Sequence, residues 1–346
     1  MEENIAKREI VLVYLVKFVL LVILIEKNQL KQKKHNMKIL GIGNAIIDVI
    51  CNVEDNFLLS NNLSKGNMKL IFDESEFKKL LSNLNIKKTL SGGSVANSIV
   101  GLSQLGNNVG FIGKISDDNL GNKYENGLKN EQVAYFYSKK KEILPTGTCL
   151  ILITPDSERT MCTYLGIAGK INEKDIDIKV IKKSQMIFLE GYLWDEGEPK
   201  KAFDKAIGFS NKAAMSLSDK FCVDRHKTQF HDLVKNKLDI TFANEDEIKS
   251  LINTKDFNEV INFGKQIKKH LVITRGEKGA ISIKGDIITE VGIKKNLKIV
   301  DLTGAGDLFA SGYLHGYLNN FSEQECLEKG TEMSSKIIQQ IGARLY

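Results

Sequence analysis

The residues best equipped for chemistry lie in D-L-T-G-A-G-D-L-F-A-S-G at 301–312, preceded by the apolar Ile299 and Val300 and followed by a helical pattern through Tyr317. The segment reads as strand, glycine turn, helix. Gly304, Ala305 and Gly306 have almost no side chain, so their backbone N–H groups can approach a phosphate, and a helix N-terminus there adds positive potential. That is the composition of an anion hole. Asp307 falls in the first turn of the same helix, where the dipole stabilises a carboxylate that can take a hydroxyl proton. Phosphoryl transfer asks chiefly for positioning and for neutralisation of charge on the moving group, so a carboxylate beside an N–H cradle is a sufficient core. The same residues also describe a tight turn with a helix-capping carboxylate.

Other phosphate-binding patterns are missing. A P-loop needs G-x-x-x-x-G-K-[ST], and neither Gly113-Lys114-Ile115 nor Gly169-Lys170-Ile171 has the first glycine or the hydroxyl. Gly41-Ile42-Gly43-Asn44 begins like a dinucleotide fingerprint but has Ile46 where the third glycine belongs. The five cysteines, Cys51, Cys149, Cys162, Cys222 and Cys326, form no C-x-x-C pair, which argues against a zinc site or a redox dithiol and for a reducing compartment.

The elements that must carry the site follow an α/β rhythm from Lys38 onward. Strands are predicted at 38–43, 108–112, 185–189, 213–217, 239–242 and 270–274. Helices are predicted at 74–84, 94–105, 119–130, 197–212, 244–251, 256–268, 305–319 and 323–340. Two stretches, 49–71 and 133–165, break the rhythm; in the second, G-T-C-L-I-L-I-T and R-T-M-C-T-Y-L flank the turn Pro155-Asp156-Ser157. Because both interrupt one α/β pattern instead of following it, they read as strands of a small β lid on a single domain over 37–346.

At this point the motifs together resemble the PfkB (ribokinase-like) carbohydrate kinases over about 37–344, and within them the adenosine kinase branch. The resemblance implies a ribokinase-like fold: a central, mostly parallel sheet with helices on both faces and a small β lid. It implies Asp307 as the base that deprotonates the acceptor hydroxyl, with Gly304, Ala305 and Gly306 as the anion hole. S-G-G-S-V-A-N-S at 91–98 is similar to the signature that receives the sugar, which implicates Gly92, Gly93 and Asn97. Taken alone, G-G-S before a helix is a capped N-terminus. Asp48 in G-N-A-I-I-D-V matches the acidic residue that holds ribose hydroxyls, a role that suits a carboxylate facing a vicinal diol, although a strand-end Asp is a turn residue about as often.

N-E-D-E at 244–247 resembles the N-x-x-E motif, implying that Asn244 and Glu247 organise Mg²⁺ and phosphate through water, while the same pattern is also a capping box. V-I-T-R-G-E-K-G-A at 272–280 looks like the strand and turn that receive ATP and places Thr274 and Gly276 near the nucleotide. Arg159, in the lid stretch, is either a ligand for an anionic group or a solvated surface residue. The adenosine leaning rests on S-L-S-D-K-F-C-V-D-R-H at 216–226 and on G-A-R at 342–344. Leu302 departs from the signature, which usually has Thr there.

The implied activity is ATP-dependent phosphorylation of a ribose-containing nucleoside, adenosine at its 5′-hydroxyl first; a free sugar such as ribose or fructose is the alternative, and a silent nucleoside-binding module a more distant one. Phe136, Tyr164 and Trp194 are candidates for an adenine pocket, each of a type more often found in a core. A formal charge of +6 over 346 residues, part of it in the first 36, does not suggest a nucleic-acid surface. Residues 1–36 form an extension whose apolar run, Ile10 to Ile25 with Lys17 inside it, is shorter than the roughly 20 residues of a membrane span and lacks a cleavage site. It is an apolar anchor, a tail, or the product of a start codon upstream of Met37; membrane contact is expected only in the first case. If the run inserts, the larger count of Lys and Arg after it keeps the main domain in the cytoplasm, and the expected location is cytoplasmic in the other cases too. Monomer and dimer both remain open.

Overall fold

The computed structural model describes residues 37–156, 158–195 and 198–345. The extension 1–36 and Ser157 of the predicted turn lie outside the described residues.

Among the described residues the larger of two sheets has nine strands. In chain order they are β1 (Met37–Ile42), β5 (Val109–Ile112), β6 (Ala134–Tyr135), β9 (Ser184–Glu190), β10 (Ala213–Ser216), β11 (Ile240–Asn244), β12 (His270–Thr274), β13 (Ala280–Lys284) and β14 (Ile287–Val291). Their spatial order is β14-β13-β12-β11-β10-β9-β1-β5-β6. All neighbours from β6 to β12 pair in parallel, and β13 and β14 add an antiparallel edge. The central strands are apolar runs buried on both faces, as a parallel sheet between helices demands. Along β1 and β9 successive residues enter opposite cores: Ile39, Met186 and Phe188 go to one, Leu40, Ile187 and Leu189 to the other. The fold is ribokinase-like α/β.

The smaller sheet has five strands, β2 (Ile46–Asn52), β3 (Met68–Leu70), β4 (Ile86–Ser91), β7 (Gly147–Ile153) and β8 (Arg159–Tyr164), in the order β3-β8-β7-β2-β4. Val49, Leu150 and Cys162 join the core that continues under the large sheet. This sheet is wider than the stretches 49–71 and 133–165 foretell: β4 belongs to it, and β2 begins at Ile46. Conversely, β6 belongs to the large sheet, since Ala134 and Tyr135 pair with Gly110 and Phe111 of β5.

Helices at Ser94–Gln104, Ala305–Leu318 and Glu323–Ile337 pack on one face of the large sheet. Eight residues of the first are buried, so polar side chains at its start face protein instead of water. Gly101 allows the close approach, since a Cβ there would lie 2.5 Å from Ser311 Oγ. Helices at Asp55–Ser60, Ile178–Lys183 and Lys220–Asp232 escaped the sequence reading. Among the described residues no helix is long and apolar enough to cross a membrane; the apolar run 10–25 lies outside them.

Candidate active site

Parallel strands end at a common edge, and in open α/β sheets that edge is where ligands bind. Here it carries Gly43 and Asn44 after β1, Glu190 at the end of β9, Asn244 of β11 and Thr274 of β12.

Asp307 sits above this edge in the first turn of the Ala305–Leu318 helix. Gly304 caps that helix with φ +77°, a left-handed conformation costly to a residue with a Cβ, and provides no side chain to the first amides. Of the three residues expected to form the anion hole, Ala305 has its N–H turned to the Leu302 carbonyl at 3.2 Å, whereas Gly306 faces open space. The Asp307 carboxylate receives Ser94 Oγ–H at 2.6 Å on Oδ1 and Asn97 Nδ2–H at 3.0 Å on Oδ2. Its own carbonyl accepts the hydroxyls of Ser98 and Ser311, both at 2.9 Å, which fixes the register of the two helices. Burial pushes the Asp307 carboxyl up to about 6, against the hydrogen bonds from Ser94 and Asn97 and the nearby Arg344 charge, which hold it down.

Asp48, Gly92 and Gly93 meet at the same place. The Asp48 carboxylate lies on the Cα of Gly92: a Cβ there would be 2.4 Å from Oδ2. Gly93, with φ +95°, caps the Ser94–Gln104 helix and passes under the Asn44 carbonyl, which a Cβ would meet at 2.3 Å. Burial raises Asp48 to about 7; the Asp307 charge adds to this, and Arg344 and Arg159 oppose it. Below them Glu190, 1% exposed, accepts the Asn44 backbone and side-chain N–H groups on Oε1 and the Val95 N–H on Oε2, and is itself raised to about 7 by burial.

The structure thus gathers Asp307, Asn97, Asp48, Gly92, Gly93 and Gly304. It gathers Asn244, Glu247, Thr274 and Gly276 into a second group, because β11 and β12 pair Asn244 with Thr274. Asn244 and Glu247 form a reciprocal capping box: Asn244 N–H and Nδ2–H reach the two Glu247 carboxylate oxygens at 3.0 and 2.6 Å, and Asn244 Oδ1 accepts Glu247 N–H at 2.8 Å. With Glu247 5% exposed and both oxygens engaged, this pair fits a magnesium ion held through water rather than by direct ligation. Among the described residues no group of three or more His, Cys, Asp or Glu could hold a metal. Beside Thr274, Arg275 stacks 3.7 Å from the centroid of the Phe257 ring and pairs with Glu245 at 3.0 Å, leaving Gly276 exposed with φ +56°.

Arg159 of β8 is not a solvated surface residue. Its Nη1 lies 2.9 Å from Asp301 Oδ2, with the two side chains 13% and 7% exposed. Asp301 also accepts the Thr303 and Gly342 N–H groups, tying the turn before the helix to the small sheet. Leu302 is exposed and contributes its carbonyl to that turn.

The aromatic candidates lie elsewhere. Tyr164 stacks on Phe77 inside the small-sheet core, Trp194 packs between Phe203 and Phe230, and Phe136 rests on Gly110 and Met37, where β1 begins. Sequence reasoning missed Ser94, Glu190 and Arg344. Ser94 was within reach, since its spacing of three from Asn97 puts both on one helical face.

Comparison with known proteins agrees with this architecture. The pfkB family carbohydrate kinase model matches residues 38–345. A probable sugar kinase from Rhizobium etli superposes with a TM-score of 0.83 at 36% identity, covering 89% of this chain and 95% of that one. The adenosine kinase from Sinorhizobium meliloti superposes with a TM-score of 0.82 at 34% identity, covering 90% and 96%. A 5-dehydro-2-deoxygluconokinase from Clostridium beijerinckii is 27% identical over 301 residues, 79% of this chain and 85% of its own. The match of a family model to almost all the described residues, on a fold of this topology, establishes that the chain belongs to the pfkB family of carbohydrate kinases.

Proposed function

We propose that this kinase transfers phosphate from ATP to the 5′-hydroxyl of a ribose-containing nucleoside, adenosine first among them, with Asp307 as the base. The observation that carries the reading is the Asp307 carboxylate itself. It is half-buried in the first turn of a helix, oriented by Ser94 at 2.6 Å and Asn97 at 3.0 Å, and raised to about 6, the range in which a carboxylate is ionised near neutrality yet still basic. Asp48 stands beside it and offers two oxygens to neighbouring hydroxyls, which would turn a third hydroxyl toward Asp307. The helix start above Gly304, where Gly306 faces open space, suits the charge that develops on a moving phosphoryl group. ATP would supply that group, and Asn244 and Glu247 would help hold Mg²⁺, which would neutralise charge on the phosphates. Thr274 and Gly276 border the nucleotide.

The S. meliloti adenosine kinase, similar along almost its whole length, supports the nucleoside reading. A free sugar or sugar acid is the second reading: Tyr164 is buried against Phe77 and the partly buried Trp194 packs on Phe203 and Phe230, which leaves the base of a nucleoside without the expected aromatic wall. ADP release measured with adenosine, ribose, fructose and 5-dehydro-2-deoxygluconate separates them. Adenosine is expected to give the highest kcat/KM; a free sugar at tenfold higher efficiency would overturn the acceptor, and binding without turnover would make the chain a binding module. Asp307→Asn is expected to remove turnover by at least about 100-fold while acceptor binding persists. Activity within a few-fold of wild type would place the base elsewhere.

A further inference from the structure

We propose that Arg344 is a positioning residue for phosphoryl transfer, acting through Asn97, and that the segment 342–345 which carries it is a strap joining the phosphate turn to the acceptor-binding helix. The proposal rests on the reading of Asp307 as the base.

The strap touches both halves of the site. Gly342 N–H donates to Asp301 Oδ2 at 2.8 Å, and Ala343 lies against Gly304 so closely that a Cβ on Gly304 would come within 2.7 Å of its Cα. Arg344, only 7% exposed, turns inward and donates Nε–H to Asn97 Oδ1 at 3.0 Å. Gln340 and Gln104 then hold the Arg344 and Leu345 carbonyls at 2.6 and 3.0 Å, and Leu345 packs against Leu308, Met333 and Ile337.

The consequence follows from the chemistry of an amide. Asn97 presents one acceptor oxygen and one NH₂ donor, and a guanidinium can only donate. With Oδ1 held by Arg344, Nδ2 must point the other way, and it points at Asp307 Oδ2. A flipped amide would set NH₂ against the guanidinium and oxygen against the carboxylate, two repulsions in place of two bonds. Arg344 is also a fixed cation among acids from several elements. Asp48 on β2, Asp307 on the Ala305–Leu318 helix and Tyr124 on the Asn119–Asn130 helix all feel its charge in the lowering direction; the Asp307 charge in turn raises Glu190 on β9, and Arg159 on β8 opposes the rise of Asp48.

The test compares wild type, Arg344→Gln, Arg344→Lys and Asp307→Asn in full-length protein, with kcat/KM followed from pH 5 to 9 on the acceptor that turns over. Arg344→Gln is expected to lower kcat/KM about tenfold or more at neutral pH, the effect of losing one hydrogen bond to a charged group. It should also move the acid limb upward, since a cation that favours the ionised base is gone. Arg344→Lys is expected to keep the limb near its wild-type position, because the charge stays, yet still lower kcat/KM, because no fixed Nε–H remains for Asn97. A wild-type rate and limb in Arg344→Gln would overturn the inference; if that variant does not melt cooperatively, a wild-type kcat/KM in Arg344→Lys would do so. Asp307→Asn keeps the two readings apart. Its activity within a few-fold of wild type sinks the base reading, whereas its inactivity beside an unperturbed Arg344→Gln sinks the strap alone.

Discussion

Replacing Ser94 by alanine isolates one of the two bonds that tune Asp307. Ser94 Oγ lies 2.6 Å from Asp307 Oδ1 and holds the carboxyl down against the burial that raises it to about 6. A hydrogen bond to a charged group contributes about 1.5–3 kcal/mol, and one pKa unit is about 1.4 kcal/mol, so the carboxyl in Ser94→Ala should rise by roughly one to two units. The Asn97 bond remains and water can reach the half-exposed carboxylate, which favours the lower end. A base works ionised, so activity is lost as pH falls through its pKa, and the acid limb of kcat/KM should move from about 6 to roughly 7 or 8.

The loss therefore depends on where it is measured. With the limb near 7, the ionised fraction at pH 7 falls roughly twofold, at pH 5.5 roughly eightfold, and at pH 9 hardly at all. The assay is coupled ADP release at limiting acceptor across that range, with ATP and Mg²⁺ saturating. A uniform fall at every pH would show that Ser94 only shapes the acceptor pocket. A limb that stays in place would show that Asp307 is not the group titrating.

The raised carboxyl also speaks to stability. Its folded pKa of about 6 lies above the ordinary 3.8, so the protein is stabilised below pH 4 and loses that contribution as pH rises through 6; Asp307→Asn should therefore melt higher than wild type at pH 8, by about 1–3 kcal/mol, with the difference vanishing near pH 4. Gly304→Ala forces a side chain into φ +77° and against Ala343 at 2.7 Å, and should cost about 2–4 kcal/mol in urea unfolding along with most of the turnover. Asn244→Ala removes both halves of the capping box, which should cost about 1 kcal/mol in a melt and raise the Mg²⁺ concentration needed for half-maximal rate; an unchanged Mg²⁺ titration would leave Asn244 and Glu247 as a cap alone.

What could be read from the chain before the fold was known followed the range of the interactions involved. β12 and the Asn119–Asn130 helix lie at the residues predicted, because a continuous apolar run and a capped amphipathic pattern are local properties. β4 was hidden because I-K-K-T-L-S carries two lysines on an edge strand, where one face needs no apolar residues. The Lys220–Asp232 helix was hidden because its pattern breaks at His226, where the backbone leaves helical geometry.

The site divides in the same way. G-A-G-D and S-G-G-S-V-A-N each place their own groups, since a glycine turn and the helix after it are contiguous. The bonds that make those groups a site span long distances in sequence: 213 residues from Ser94 to Asp307, and 247 from Asn97 to Arg344. No spacing rule reaches so far, and only the packing of the Ser94–Gln104 helix on the Ala305–Leu318 helix, permitted by Gly101, brings them together. The aromatic residues mark the opposite error. Tyr164 and Trp194 are the right types for stacking on a base, but Tyr164 is buried on Phe77 and the partly buried Trp194 is engaged by Phe203 and Phe230. Acceptor choice therefore rests with side chains other than these two, and turnover with different acceptors tests that choice directly.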